Sequence, residues 1–82
     1  MTSPWYQDPD PATAGSKMTL CYTHNPTMPC SWNIHWGAGI PPVPVTFKAD
    51  QPCIEIAVPE DSVGGILIDA NGKMPDGIIL VQ

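Results

Sequence analysis

The sequence contains no arginine and only three lysines against eight aspartates and glutamates, which gives a formal net charge of −5. Proteins that bind nucleic acids neutralise phosphates and read base edges mainly with clustered arginine and lysine. An anionic membrane surface would also repel a chain of this charge. The composition therefore argues against nucleic acid and against a membrane surface as partners.

Long apolar runs and helical periodicity are also missing. No run approaches the roughly 18 residues that a membrane-spanning helix needs, and the N-terminus has neither the basic nor the apolar region of a signal peptide. Nowhere do apolar residues recur at helical spacing for more than about two turns. We therefore expect no helices, no membrane span and a protein that stays where it is made, unless a leader has been removed.

Side chains that could bind a metal ion or act in catalysis are scattered along the sequence and form no known motif. His24, His35 and the cysteines lack the C-x₂-C and H-x₃₋₅-H spacings of zinc sites. Asp69, Asn71 and Asp76 resemble part of a calcium loop, but its third ligand before the glycine and its closing glutamate are missing. No serine lies in a G-x-S-x-G context. The sequence predicts no enzyme, no metal site and no cofactor.

Residues 31–36 alternate strictly, with Trp32, Ile34 and Trp36 on one side and polar residues on the other. Because successive residues of a strand point to opposite faces, this pattern predicts a half-buried β-strand with two indoles in the core. Each buried indole removes about 150–250 Å² of surface from water, a gross gain of about 4–6 kcal/mol. We expect this strand to lie at the centre of the core.

Five further strands are predicted from apolar stretches between turns rich in proline and glycine. The last two are apolar on both faces, and such strands require cover on both sides. The final strand, close to a chain end, is also well placed to pair with an edge elsewhere. The predicted fold class is all-β, a small antiparallel β-sandwich or barrel of about six short strands. The five stretches are 18–24, 43–48, 53–58, 64–68 and 78–81.

Residues 1–16 are predicted to form an extended N-terminal arm, and residues 17–82 a single β-domain. Three prolines in the arm lack amide donors and keep their preceding residues out of the helical region. The arm's aromatic pair is either part of a mobile terminus or an anchor that docks in a groove of a neighbour or of its own domain. The residues expected to bind a partner are Trp5, Tyr6, Pro9, Pro11, Ile79 and Val81.

Three cysteines, Cys21, Cys30 and Cys53, cannot all pair within one chain. The odd number and the missing leader favour free, buried thiols over a Cys21–Cys30 bridge. An arm of 16 residues would leave 66 for a core (82 minus 16), and domains of that size usually add a disulfide, a metal or a partner subunit. We therefore expect other molecules to complete the fold, and a homo-oligomer is favoured.

The stretch Asp10-Pro11-Ala12-Thr13-Ala14-Gly15, ahead of an acidic β-rich body, resembles the N-terminal arm of the lambda-type head decoration proteins of tailed bacteriophages. The resemblance covers those six residues. It implies oligomers, often trimers, seated on a capsid lattice, and a location in the virion and in the host cytoplasm during assembly. The expected function is that of a structural protein that binds a capsid or other assembly subunit through its arm and exposed β-edges.

The alternative is a small secreted recognition module, such as a lectin-like, inhibitor or effector domain. It would use an exposed tryptophan, Trp5, Trp32 or Trp36, to stack on a sugar or to fill a pocket of its partner. This alternative predicts a removed leader and a Cys21–Cys30 disulfide.

Overall fold

The computed structural model describes residues 4–24, 29–37, 39–72 and 74–82. Those residues form β-strands, turns and loops, and none of them lies in a helix that is long and apolar enough to cross a membrane. The prediction of an all-β fold is confirmed. The seven strands are β1 (Trp5–Asp8), β2 (Lys17–Tyr22), β3 (Cys30–His35), β4 (Val43–Phe47), β5 (Cys53–Ala57), β6 (Gly64–Asp69) and β7 (Pro75–Leu80).

The strands form two antiparallel sheets that face each other as a sandwich. The three-stranded sheet has the order β1-β2-β5, and the four-stranded sheet has the order β4-β3-β6-β7. Consecutive strands β4 and β5 belong to different sheets, so the chain crosses from one layer to the other at residues 48–52. Strands β2 to β7 correspond to the six predicted strands, and Pro44 lies on an edge strand, where its missing N–H breaks no ladder.

The core lies between the sheets and is centred on β3. Trp32, Ile34 and Trp36 are all buried, as their alternation with polar residues predicted. Leu20 of β2 packs from the opposite sheet and is fully buried. Gly65 makes room for an indole, because a Cβ atom at this position would lie 2.9 Å from the ring of Trp36. The packing of the core therefore requires a residue without a side chain at position 65.

The described part of the N-terminal segment, residues 4–16, contributes a strand to the sandwich, which differs from the extended arm predicted for residues 1–16. Strand β1 pairs with β2 in a register that places Trp5 opposite Tyr22. The Trp5 side chain is buried in the core, and its Nε1 donates a hydrogen bond to the Asp76 carbonyl oxygen at 3.2 Å. Ala12 is also buried and bridges in parallel to Val81. The aromatic anchor thus docks in a groove of its own domain, and position 16 marks no boundary between arm and body.

Cys21 and Cys53 form a disulfide between the neighbouring strands β2 and β5. The prediction of free thiols is wrong for this pair, and the alternative Cys21–Cys30 bridge is also wrong. Cys30 lies on β3 in the other sheet and is half-buried. A bridge across 32 positions of sequence restricts the unfolded chain by an entropy equivalent to about 4 kcal/mol. The disulfide supplies part of the stability that a core this small lacks.

Candidate protein-binding surfaces

The outer edge of β7 is covered by the chain's own N-terminal segment. The buried Gln7 side chain accepts a hydrogen bond from the Leu80 N–H at 3.0 Å and donates one to the Leu80 carbonyl oxygen at 2.6 Å. The Ala12 N–H donates to the same oxygen at 2.8 Å, and the Gln82 N–H donates to the Ala12 carbonyl at 2.8 Å. These contacts close one side of the sandwich. The C-terminal strand is therefore not the open edge that the sequence indicated.

The six residues predicted to bind a partner separate into two groups. Trp5 and Ile79 are buried in the core, which corrects their assignment to a partner surface, and Val81 is half-buried beside Ala12. The side chains of Trp5 and Ile79 fill the space between the sheets, where a partner has no access, whereas Val81 remains partly exposed. The exposed members are Tyr6, Pro9 and Pro11, all from the N-terminal segment.

An exposed row of aliphatic side chains lies on the outer side of the four-stranded sheet. Ile66, Ile78 and Leu80 are 42%, 60% and 49% exposed. Ile66 and Ile78 are direct cross-strand partners, and Leu80 is the partner of Gly64. Their sequence neighbours Leu67 and Ile79 point into the core. We call Ile66, Ile78 and Leu80 the apolar face. These two strands are apolar on both sides, as the sequence indicated, and only the inner side is covered within the described chain.

The outward strand positions around the apolar face carry no aspartate, glutamate or lysine, and their one ionisable side chain in the described strands is His35, the cross-strand partner of Ile66. Asp76 of β7 lies closest in sequence, but its Oδ2 accepts a hydrogen bond at 2.9 Å from Nε1 of the core residue Trp32. None of the outward positions on the four described strands of this sheet carries aspartate, glutamate or lysine. Those positions are Ser31, Asn33, His35, Pro44, Thr46, Gly64, Ile66, Ile68, Pro75, Ile78 and Leu80.

The second side of the sandwich is open. Residues 48 and 51 form a tight turn in which each backbone N–H donates to the other carbonyl, at 3.2 and 3.1 Å. Beyond this turn β4 and β5 diverge into different sheets, and each is an edge strand. The cleft between them has a volume of about 430 Å³ and is lined by residues 43–46 and 54–57. We call it the β4–β5 cleft.

Aromatic rings fill one end of the core. Trp5 and Trp32 meet edge to face with centroids 4.8 Å apart, and Tyr22 lies 5.0 Å from Trp5 and 4.8 Å from Trp32. Burial raises the pKa of Tyr22 above its usual value of 10.0, and electrostatic interactions with Cys30, Asp76 and Asp69 raise it further. The phenol is therefore neutral at physiological pH. It acts as a packing group rather than as an acid or a base.

All three tryptophans are buried. The secreted-module alternative relied on an exposed indole at Trp5, Trp32 or Trp36, and the structure corrects that part of it. Indole rings that are packed inside the core present no face to a sugar or to a partner's pocket. A recognition function would have to use other surface residues.

Ligands for a metal ion are not brought together in the part of the chain that the structure describes: no three histidine, cysteine, aspartate or glutamate side chains are placed to share an ion. His24 packs its ring against Tyr22 with centroids 5.8 Å apart. The Asp69 carboxylate accepts a hydrogen bond from the Asn71 N–H at 2.7 Å, which makes this segment an Asx turn.

The fold and its surfaces define a small disulfide-bridged β-sandwich with one closed side, one open side and an exposed apolar sheet face. The chain matches no protein-family model, no curated protein and no solved structure.

Proposed function

We propose that the chain is a structural, non-enzymatic assembly protein of the capsid-decorating kind, and that its copies associate with one another through the apolar face. The observation that carries the proposal is the exposed cross-strand pair Ile66–Ile78, with Leu80 beside it. Contiguous exposed apolar patches mark interaction sites more often than isolated apolar residues do. A structural role therefore accounts for side chains that the fold itself does not bury.

Charge favours a second copy of the chain as the occupant of this face. Each copy carries a formal net charge of −5, so most surfaces of two copies repel each other. The outward positions around the apolar face include His35, the cross-strand partner of Ile66, but no aspartate, glutamate or lysine, so contact there removes no carboxylate or ammonium group from water. Two copies that meet face to face bury isoleucine and leucine against isoleucine and leucine.

The size of the face indicates a weak contact in dilute solution. The apolar face lies on two of the four strands of its sheet. Even the whole outer side of that sheet, four strands spaced about 4.8 Å apart and about six residues long, covers only roughly 400 Å², or roughly 800 Å² for two copies. Stable interfaces usually bury about 1,200–2,000 Å². Copies held close together on a lattice gain a high effective concentration, and a weak contact then becomes productive. A face of this size suits a protein that assembles on a larger surface.

Attachment to the lattice is assigned to surfaces other than a projecting arm. The six residues that resemble the arm of head decoration proteins include Ala12, which is buried against β7. Tyr6, Pro9 and Pro11 remain exposed and are proposed lattice contacts. The proposed location is the virion, and the host cytoplasm during assembly.

Sedimentation equilibrium of the wild-type protein and of the Ile78→Lys variant tests the association. We expect the average mass of the wild type to rise with concentration, and the variant to remain monomeric because lysine introduces charge into the contact. Val63→Lys is the matched control, since Val63 is 91% exposed and lies outside the apolar face. A wild type that stays monomeric at millimolar concentration, or a Val63→Lys variant that behaves like Ile78→Lys, would contradict the proposal.

A binding assay tests the decoration role. Shell proteins encoded by reading frames next to the gene are assembled into particles and mixed with the purified chain, and the particles are sedimented. Saturable co-sedimentation supports the role, and its absence on every such shell counts against it. The Pro11→Ala variant tests whether the exposed N-terminal prolines contribute to binding.

The second candidate is the secreted recognition module, which the Cys21–Cys53 disulfide favours. Structural disulfides persist mainly in oxidising compartments. Alkylation of the protein in its native source at the moment of lysis separates the two candidates. Modification of all three cysteines supports a protein kept in the cytoplasm until assembly, whereas modification of Cys30 alone supports export.

A further inference from the structure

Within the part of the chain that the structure describes, strand β5 has no pairing partner on the side that faces the β4–β5 cleft. At its two ends, the Tyr22 N–H donates to the Pro52 carbonyl at 2.8 Å and the Val58 N–H donates to the Ser16 carbonyl at 2.9 Å. Backbone direction alternates along a strand, so even-numbered residues of this strand bond to β2. The residues whose N–H and C=O groups point away from β2 are Cys53, Glu55 and Ala57.

The facing edge of the cleft is less available. Pro44 lies in the middle of β4 and has no N–H to donate. A proline on an edge strand is a common way to prevent the addition of another strand. Strand β5 has prolines only outside its ends, at positions 52 and 59. Of the two edges, β5 keeps an N–H donor at every position that points away from its sheet, whereas β4 lacks the donor at Pro44.

The cleft between the edges is apolar on its inner side. Val45 and Ile56 lie at its base and are mostly buried, and Ile54 is half-buried beside them. A strand added to β5 would direct every second side chain over this base. Those side chains must be apolar to pack there. The remaining side chains would point away from the core, into solvent.

The charge along β5 determines which side chains are favoured at the solvent-facing positions of the added strand. Residues 50–61 contain four carboxylates, Asp50, Glu55, Glu60 and Asp61, and no lysine or arginine. Lys17 lies 3.4 Å from the Glu55 carboxylate, but both side chains are well exposed and the pair is correspondingly weak. Basic side chains on the added strand would therefore be favoured. A second copy would instead bring two acidic segments together.

We propose that β5 accepts an extended segment of a partner protein, with apolar residues at alternate positions and lysine or arginine between them. The segment pairs with the backbone of Glu55 and Ala57 and covers the β4–β5 cleft. This surface is separate from the apolar face, so the inference goes beyond the proposed self-association. A capsid or other assembly subunit that carries such a segment would be held by it.

The first test uses three synthetic heptapeptides with blocked ends. The probe is Lys-Val-Lys-Val-Lys-Val-Lys, and the controls are Glu-Val-Glu-Val-Glu-Val-Glu and the block sequence Lys-Lys-Lys-Lys-Val-Val-Val. Each is titrated into isotopically labelled full-length protein, and amide hydrogen exchange is followed by NMR. We expect the probe alone to slow the exchange of the Glu55 and Ala57 amides, by about tenfold at saturation.

Two variants of Glu55 separate backbone pairing from charge. Glu55→Pro removes an N–H that does not bond to β2, so the sheet is preserved while the donor is lost. Glu55→Gln keeps the N–H and removes the charge. We expect Glu55→Pro to lower the affinity for the probe at least about tenfold, which corresponds to about 1.4 kcal/mol. Glu55→Gln should retain most of the affinity. If Glu55→Pro does not fold, Glu55→Lys provides the test, since it should bind the acidic peptide better than the wild type does.

Three outcomes would overturn the inference. Equal protection by the alternating and block peptides would show charge attraction without strand pairing. Protection elsewhere in the chain with none at Glu55 and Ala57 would place binding on another surface. Self-association that Glu55→Pro abolishes would identify a second copy as the occupant. The Ile78→Lys variant should bind the probe as the wild type does, so this test and the self-association test fail independently.

Discussion

The indole of Trp5 lies directly against Gly77: a Cβ atom at Gly77 would be 2.5 Å from Cδ1 and 2.6 Å from Nε1 of the ring. Trp5 belongs to β1 and Gly77 to β7, so the contact joins the first and last strands of the chain. The Trp5 Nε1–H also donates to the carbonyl of the preceding residue, Asp76. The two ends of the sequence are therefore folded as one unit.

The Gly77→Ala variant is expected to be destabilised by about 1–3 kcal/mol, because the added methyl group overlaps a buried ring that has no room to move. Urea denaturation measures the change. Ile78→Ala is the control, since truncation of an exposed neighbour should change the free energy of unfolding by about 0.5 kcal/mol or less. Equal midpoints for Gly77→Ala and the wild type would show that the ring is not packed there.

The adjacent residues Trp5 and Tyr6 should respond oppositely to truncation. Trp5→Ala removes a core indole and is expected to cost about 3–5 kcal/mol, enough to unfold much of the population of a domain this small. Tyr6→Ala removes a ring that is 54% exposed and should be tolerated. Circular dichroism melts of both variants provide the comparison. A Trp5→Ala variant that melts like the wild type would restore the idea of a projecting arm.

Loss of the disulfide should lower stability far more than loss of the remaining thiol. The Cys21→Ser/Cys53→Ser double variant is expected to lose about 2–5 kcal/mol in the free energy of unfolding. Cys30→Ala should be as sensitive to reductant as the wild type, whereas the double variant should be insensitive. Thermal melts with and without dithiothreitol measure both effects. A wild type that melts identically in the two conditions would argue against the bridge.

The raised pKa of Tyr22 predicts that the folded protein loses stability at alkaline pH. Its pKa is raised in the folded state, mainly by burial, so the native protein favours the neutral phenol more than the unfolded chain does. That contribution is fully present below the unfolded pKa of about 10 and is lost as the pH rises through the higher folded value. Urea denaturation between pH 9 and 11.5 should show the decline. The Tyr22→Phe variant should show a shallower one, and identical slopes would contradict the assignment.

The alternation of residues 31–36 predicted β3 and its buried indoles because period-2 burial is a local property of a strand. The N-terminal strand was missed because its four residues lie between prolines, and its pairing partner, β2, becomes apparent only when the chain has folded. The Cys21–Cys53 bridge depends on the register of β2 against β5, which composition does not encode. The sequence did indicate the apolar face, because the last two predicted strands are apolar on both sides.

The surfaces were harder to predict than the core because exposure depends on which edges the chain itself covers. The C-terminal strand looked free in the sequence, but the Gln7 amide satisfies both backbone groups of Leu80. Pro44 marked β4 as an edge, yet nothing local indicated that β5 would be the second edge of the same cleft. Long-range topology decided both cases.

The side chain of Gln7 also hinders fibril growth, because it occupies the backbone N–H and C=O of Leu80 on the edge of β7. Proteolytic removal of the first dozen residues would strip Gln7 and Ala12 from β7, and the accompanying loss of Trp5 would unfold much of the population. In folded and unfolded chains alike, an apolar strand is then left with bare backbone donors and acceptors. Such a strand pairs with the same strand of neighbouring molecules, and the paired strands build stacked sheets. Nicked preparations of this protein should therefore bind thioflavin and form filaments, while intact chains stay in solution.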